Sequence, residues 1–484
     1  MNTFAQALET MPTMSLTANG GDTYASSMNA NTDLFFLVGA SRGNDITPAF
    51  AAAYAENPDL AMRILAWVRD IRGGAGERQT FRNLLSYLED NHTNEVYKML
   101  PLVPFYGRWD DLLHFKTEEV RNAAFGLISH ALLDMKDGLC AKWMPRKATK
   151  DDNTAYLLRQ FMGLSPKQYR QVLVSLTNVV EQKMCAKEWQ DIDFSKLPSL
   201  ASARYNKAFM RNAQEQYAIY KEKLVNGETT INAQAVYPHD VLKTIKSGGD
   251  SDVATAQWNA LPNFLSEATI LPMADVSSSM NCSVGDNPKL TCMDISIALG
   301  LYIADKQEGP FHNMVLTFDT NPKIEVLKGT LVEKYNQISH MSWGGSTNIE
   351  KAFDRILEVA LRGKVPQEQM PKYLLIFSDM EFNSTSNGTA FNTFEKKFKA
   401  EGYDLPKLVF WNLNARMGNI PVTYNEQGVA LVSGFSPSLL KSILSCKTFT
   451  PQDIMLETIM TERYDFTKIN HLFNKPVTNQ KMKL

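Results

Sequence analysis

"ATILPMADVSSSM", residues 268–280, runs from an apolar, strand-like stretch directly into an aspartate and three serines. Asp275, Ser277, Ser278 and Ser279 fall within five positions. Carboxylates and hydroxyls at the end of a buried strand are costly unless something satisfies them. A helix cap following the strand would do so. A bound cation taking oxygen ligands from Asp275, Ser277 and Ser279 would also do so, with Ser278 facing elsewhere.

Outward from this stretch, apolar runs alternate with amphipathic ones. "CMDISIALGLYIADKQ" (292–307), "NIEKAFDRILEVALR" (348–362) and "NTFEKKFKAEG" (392–402) have helical spacing. Between them lie the strand-like "NMVLTFD" (313–319), "KIEVL" (323–327), "KYLLIFSD" (372–379), "KLVFWNL" (407–413) and "VALVSG" (429–434). This alternation predicts an α/β unit, a doubly wound and mainly parallel sheet covered on both faces. Ligands of such sheets sit beyond the carboxyl ends of the strands, where Asp275 and Asp379 fall.

"WGGSTN" (343–348) brings Thr347 to the start of a helix, and "IFSDMEF" (376–382) ends a second apolar strand with Asp379. Hydroxyls, one or two carboxylates and water make a hard divalent site, suited to Mg²⁺, with Mn²⁺ or Ca²⁺ as alternatives. Each segment alone is also explained by a cap, a loop or a turn. Their shared placement favours one site. Asp275-x-Ser277-x-Ser279, Thr347 and Asp379 resemble the metal-ion-dependent adhesion site of von Willebrand factor type A domains, over about 265–450. The resemblance implies that the serines and threonine contact the metal, with the aspartates joining directly or through water. A partner's carboxylate or another anion completes the shell. This chain departs from that family in placing "MEF" after the second aspartate instead of the common glycine, which brings Glu381 close to the site. No second carboxylate cluster, nearby histidine or phosphate-binding loop accompanies the motif, so a binding role without catalysis is expected.

The first half reads as helices with short polar breaks. "PDLAMRILAWVRDI" (58–71) puts Leu60, Ile64, Trp67, Val68 and Ile71 on one stripe, and "SPKQYR" offers Ser165 as a cap with Pro166 at the first helical position. "RDIRGGAGERQTF" flanks glycines with Arg69, Arg72 and Arg78. It is either a tight inter-helix turn fixed by Arg–Asp/Glu pairs or a phosphate contact. "PFYGRWDDLLHF" places Tyr106, Arg108 and Trp109 beside Asp110 and Asp111, with the same two readings. "KWMPRKATK" (Lys142, Arg146, Lys147, Lys150) and "SARYNKAFMRN" (Arg204, Lys207, Arg211, with Tyr205) are basic stretches. They are solvated faces or RNA contacts.

The 484 residues carry a formal net charge of −2, which advertises neither nucleic acid nor membrane. Residues 121–223 nevertheless hold 17 basic against 10 acidic residues, while 1–250 balance at 28 of each. Five scattered cysteines without a CxxC pair predict reduced thiols and a cytoplasmic protein. No apolar run reaches membrane-span length, and no signal peptide is evident.

In this order, "IRGGAGERQTF", "PLVPFYGRWDDLL", "AKWMPRK" and "LPSLASARYNKAF" resemble the Ro autoantigen (TROVE-like) family, above all its bacterial and viral relatives, over about 30–480. That resemblance implies a HEAT-like helical-repeat ring or horseshoe followed by the type A domain. It also implies a non-enzymatic ribonucleoprotein component that binds single-stranded RNA ends or small structured RNA, without DNA specificity. The corresponding domains are a flexible arm (1–30), a helical-repeat domain (31–245), a linker (246–264), the type A domain (265–450), and a C-terminal helix and tail (451–484) packing back on the helical domain. RNA-contact candidates are Arg72, Arg78, Arg108, Lys142, Arg146, Lys147, Arg204, Lys207 and Arg211. The competing expectation is a metal-dependent protein-interaction or assembly module that binds a partner's carboxylate without RNA.

Overall fold

A computed structural model describes residues 11–42, 44–146, 152–177, 179–197, 199–231, 233, 236–265, 269–284, 287–318, 321–341, 348–385 and 390–468. The N-terminal region is mostly helical, and the C-terminal region carries a mixed six-stranded sheet. The chain forms two compact units. One, the sheet unit, comprises residues 1–64 and 189–458; the other, the helical unit, comprises 65–188 and 459–484.

Strands in chain order are β1 (Met14–Leu16), β2 (Asp22–Tyr24), β3 (Ile270–Asp275), β4 (Ser283–Val284), β5 (Asn287–Thr291), β6 (Met314–Phe318), β7 (Lys323–Val326), β8 (Tyr373–Ser378), β9 (Lys407–Asn412) and β10 (Val429–Ser433). The main sheet has the order β10-β9-β8-β3-β6-β7, all parallel except the edge strand β7, which pairs antiparallel with β6. Strand β3 is buried along its whole length, as a parallel strand covered on both faces should be. On one face Met273, Leu374 and Ile376 pack with Phe353 and Phe394 from helices Ile349–Gly363 and Ala390–Ala400. The two phenylalanine rings stack with centroids 3.6 Å apart. The opposite face carries helix Cys292–Lys306, whose Ser296 hydroxyl donates to Phe377 O. The chain leaves β3 toward β6 and later returns to its other side with β8. The strand order therefore reverses between β3 and β8, the place where doubly wound sheets open a crevice.

Two boundaries differ from those the sequence suggests. The expected arm at 1–30 contains the β1–β2 hairpin, whose Thr17 hydroxyl donates to Phe382 O at 2.6 Å. Tyr24 also exchanges backbone hydrogen bonds with Ile420. Its polar composition serves long-range hydrogen bonding, which composition alone does not reveal. The expected linker at 246–264 contains helix Ser251–Asn259. Asp250 caps it, and Trp258 is buried against Tyr302 with its indole N–H on Asp305.

Helix Ala30–Val38 also belongs to the sheet unit, where it packs on β10. Gly39 N donates to the Ser433 hydroxyl at 2.9 Å, and that hydroxyl donates to Phe35 O at 2.7 Å. A Cβ at Gly39 would lie 2.4 Å from Ser433 O. Gly39→Ala is therefore expected to destabilise the sheet unit by about 1–3 kcal/mol, the usual cost of overpacking. Thermal unfolding would register this as a lower midpoint, and an unchanged midpoint would contradict the packing.

In the helical unit, helix Arg78–Asn91 buries Phe81, Leu84, Leu85 and Leu88, at the spacing that places side chains on one face. Helix Pro166–Leu176 starts with the cap expected at Ser165, completed as a capping box by Gln168. The Ser165 hydroxyl accepts from Gln168 N, and the Gln168 side chain accepts from Ser165 N at 2.9 Å.

Candidate metal centre and nucleic-acid contacts

Asp275 and Asp379 emerge from the adjacent carboxyl ends of β3 and β8, and both are fully buried. Asp275 accepts from Ser277 N at 2.9 Å through one oxygen and from the Ser378 hydroxyl at 2.6 Å through the other. The hydroxyls of Ser277 and Ser279 lie 3.1 Å apart, whereas Ser278 is exposed. Asp379 Oδ1 accepts from Glu381 N at 3.3 Å. Its Oδ2 is buried without a hydrogen-bond partner, and the nearest guanidinium nitrogen, Arg416 Nη2, is 3.9 Å away. Burial, reinforced by the Asp379 charge, pushes the Asp275 carboxyl up to about 7. Burial also raises Asp379, against the lowering effects of the Glu381 amide, Arg416 and the Ser279 hydroxyl.

Two buried carboxylates, one of them with an oxygen that has no hydrogen-bond partner, and two hydroxyls fit a hard cation. Among the described residues no group of three His, Cys, Asp or Glu side chains is placed to hold a metal. Thr347 lies outside the described residues.

Glu381 is buried but turned to other partners. Its carboxylate accepts from Arg416 Nη1 at 2.7 Å, Asn419 Nδ2 at 2.8 Å and Ala18 N at 2.5 Å. Met380 has a φ of 63°, the left-handed conformation that favours glycine. The methionine thus keeps a backbone shape that glycine adopts without strain. Sequence reasoning missed Ser378 and Arg416 as neighbours of the pair. A serine ending the apolar run "YLLIFS" was a readable signal for the first, and nothing local marks the second.

The arginine-flanked glycine turn is occupied by the protein's own groups. Gly74 N donates to Asp70 O, Ala75 N to Trp67 O and Glu77 N to Val68 O. A Cβ on Gly74 would meet Trp67 O at 1.9 Å. Arg69 and Arg82 both bind Asp111, at 2.7 Å in each case. Arg108 binds Asp110 and stacks over Trp143, and Arg72 donates to Phe105 O. The Arg108 guanidinium is thus engaged by Asp110 and Trp143, whereas Arg72 makes one backbone contact and stays exposed. Arg78 is largely exposed, and partial desolvation together with the neighbouring Arg108 and Arg82 lowers its pKa.

Lys142 lies near the Trp143 ring, and Arg146 donates to the Thr177 hydroxyl. Lys147 and Lys150 lie outside the described residues. Arg204, Lys207 and Arg211 are exposed along helix Ser199–Asn212. That helix is in the sheet unit, whereas Arg72 through Arg146 are in the helical unit. The candidates therefore do not form one patch within either unit.

The helical unit also holds a cleft of about 760 Å³. Arg146, Tyr156, Arg159, Lys167, Tyr169 and Arg170 line it over an apolar floor that includes Leu173. Arg159 lies 5.2 Å from the Tyr156 ring centroid, and Tyr156 is 47% exposed. No acidic side chain is among the described residues that line it.

The fold and site define a two-unit α/β protein with a buried acidic pair at the switch point of its sheet. Two families described as domains of unknown function match it, DUF2828 over residues 17–104 and 128–271 and DUF7788 over 269–481. The chain belongs to the same family as the uncharacterised protein L728 of Acanthamoeba polyphaga mimivirus. They are 31% identical over 98% of this chain and 95% of the viral one. Among solved structures it is similar to the Ro (RSR) protein of Deinococcus radiodurans, with a TM-score of 0.43 and 13% identity, covering 90% of this chain and 100% of that one. Among the described residues no helix is long and apolar enough to cross a membrane.

Proposed function

We propose that this is a non-enzymatic binding protein whose sheet unit contacts a partner through a divalent cation. The cation is Mg²⁺, or Mn²⁺ or Ca²⁺ in its place, held by Asp275, Ser277, Ser279, Asp379 and Thr347. The observation that carries the reading is the buried Oδ2 of Asp379, which has no hydrogen-bond partner and only a 3.9 Å approach from Arg416, beside a second buried carboxylate. Leaving such an oxygen unpaired is costly, and a cation removes the cost. The motif's resemblance to the type A adhesion site supports the same reading. When bound, the cation supplies an open coordination position for an anionic oxygen of the partner. Asp275 and Asp379 hold the charge, Ser378 orients Asp275, and Glu381 fixes Arg416 beside the opening. Calorimetric titration of the EDTA-treated full chain with Mn²⁺ should show one saturable site. No heat and no thermal stabilisation by any of the three cations would refute the reading.

RNA binding by the helical unit is a second reading, favoured by the cationic, aromatic-bearing cleft. Arginines neutralise phosphates, and an exposed tyrosine offers a stacking face for a base. The resemblance of the helical segments to the Ro family points the same way. Replacing Arg159, Lys167 and Arg170 with alanine should weaken binding of a single-stranded RNA. It should also flatten the salt dependence by about 0.7 for each phosphate that is no longer neutralised. Unchanged affinity and slope would remove the cleft from this reading.

A further inference from the structure

Cys282 and Cys292 face each other across the neck of the β4–β5 hairpin. Their sulfurs are 3.3 Å apart, and Cys292 N donates to Cys282 O at 3.1 Å. The next pair along the hairpin is Ser283 opposite Thr291, so the two cysteines occupy directly opposed cross-strand positions. Opposed antiparallel residues have Cα atoms about 4.5–5.5 Å apart. That separation falls within the roughly 4.4–6.8 Å that a disulfide spans.

We propose that Cys282 and Cys292 are a redox modification site, forming a reversible intramolecular disulfide beside the Asp275–Asp379 pair. Cys282 is half-buried and reachable, whereas Cys292 is buried. This assigns Cys282 as the sulfur oxidised first and Cys292 as the resolving thiol. The surroundings support that order. Asn414 Nδ2 approaches Cys282 Sγ at 3.5 Å, and Cys292 Sγ donates to Leu413 O at 3.3 Å. Hydrogen bonding to Cys292 lowers the Cys282 thiol, and the same contact with burial raises Cys292.

The chemistry balances with a peroxide as oxidant. The Cys282 thiolate attacks the O–O bond, giving a sulfenic acid and, after protonation, water. Cys292 sulfur attacks the sulfenic sulfur, its proton leaves with the departing hydroxide as a second water, and the S–S bond forms. A small thiol reductant reverses the sequence by exchange. The disulfide would tie the turn carrying Ser277 and Ser279 to the start of helix Cys292–Lys306. Bond formation itself does not depend on a cation held by the acidic pair.

The test uses the reduced full chain treated with a slight excess of hydrogen peroxide. Thiols titrated after denaturation should fall from the five of the sequence to three. Peptide mapping should join the Cys282 and Cys292 peptides, and dithiothreitol should restore all five thiols. In Cys292→Ser, Cys282 should persist as a sulfenic acid that dimedone traps. Because Cys292 is buried, mapping of the wild-type chain decides the question if that variant fails to fold. Loss of thiol at the exposed Cys185 while Cys282 and Cys292 stay reduced would overturn the proposal. So would stable over-oxidation of Cys282 with Cys292 unlinked.

Discussion

Asp379→Ala is expected to weaken Mn²⁺ binding by roughly 2–5 kcal/mol, the usual result of removing one partner from a buried hydrogen-bonded charge pair. Asp379→Asn should lose the cation as well, while the metal-free chain becomes more stable because the repulsion between the carboxylates disappears. Alanine at the exposed Ser278 should leave binding unchanged.

Protons compete for the same place. Asp275 is held at about 7 in the folded chain against an ordinary value of 3.8. Between those values the folded, metal-free protein binds more protons than the unfolded one, so its stability falls as pH rises from about 4 to 7. Cation affinity runs the other way, rising with pH and levelling off above about 7 as the proton is displaced. Thermal midpoints at a series of pH values should fall with EDTA and stay level with saturating Mn²⁺, so the gap between the curves widens with pH. Parallel curves would remove the acidic pair as the cation site.

Asp111→Ala is expected to destabilise the helical unit by about 3–5 kcal/mol, because it strands a buried charge. Asp111 accepts from Arg69 Nε at 2.7 Å, Arg82 Nε at 2.8 Å and Arg108 N at 3.0 Å. The Arg69 side chain is only 2% exposed, so water cannot replace the missing carboxylate. Asp111→Asn should recover a minor part of the loss, since it restores shape without charge. Arg108→Ala should cost much less, because its partner Asp110 is reached by solvent and partly exposed pairs are screened. Urea unfolding followed by circular dichroism would rank the three variants. A loss under about 1 kcal/mol for Asp111→Ala would show that Arg69 finds another partner.

Asp70 shows how such networks lie beyond local reading. It binds Arg463 Nη2 at 2.7 Å and the Tyr464 hydroxyl at 2.9 Å. Nothing in "RDIRGG" announces partners nearly four hundred residues away. The same holds for Glu381, whose partners come from Ala18, Arg416 and Asn419, and for the N-terminal hairpin, whose polar residues read as an arm. The glycine turn had two readings in sequence. Its backbone N–H groups proved to be taken by Trp67, Val68 and Asp70.

Periodicity and end signals sufficed for much else. Alternating apolar runs placed strands and helices of the sheet unit, and Asp275 and Asp379 fell at strand ends because parallel strands terminate where apolar runs stop. These features are local: the pattern of burial along an element is written in its own residues. Tertiary structure alone decided which charges neutralise one another, which hydroxyl orients Asp275, and that Cys282 meets Cys292. Those outcomes depend on the path of the chain through space, and a carboxylate or thiol carries no local mark of the partner that the path will bring to it.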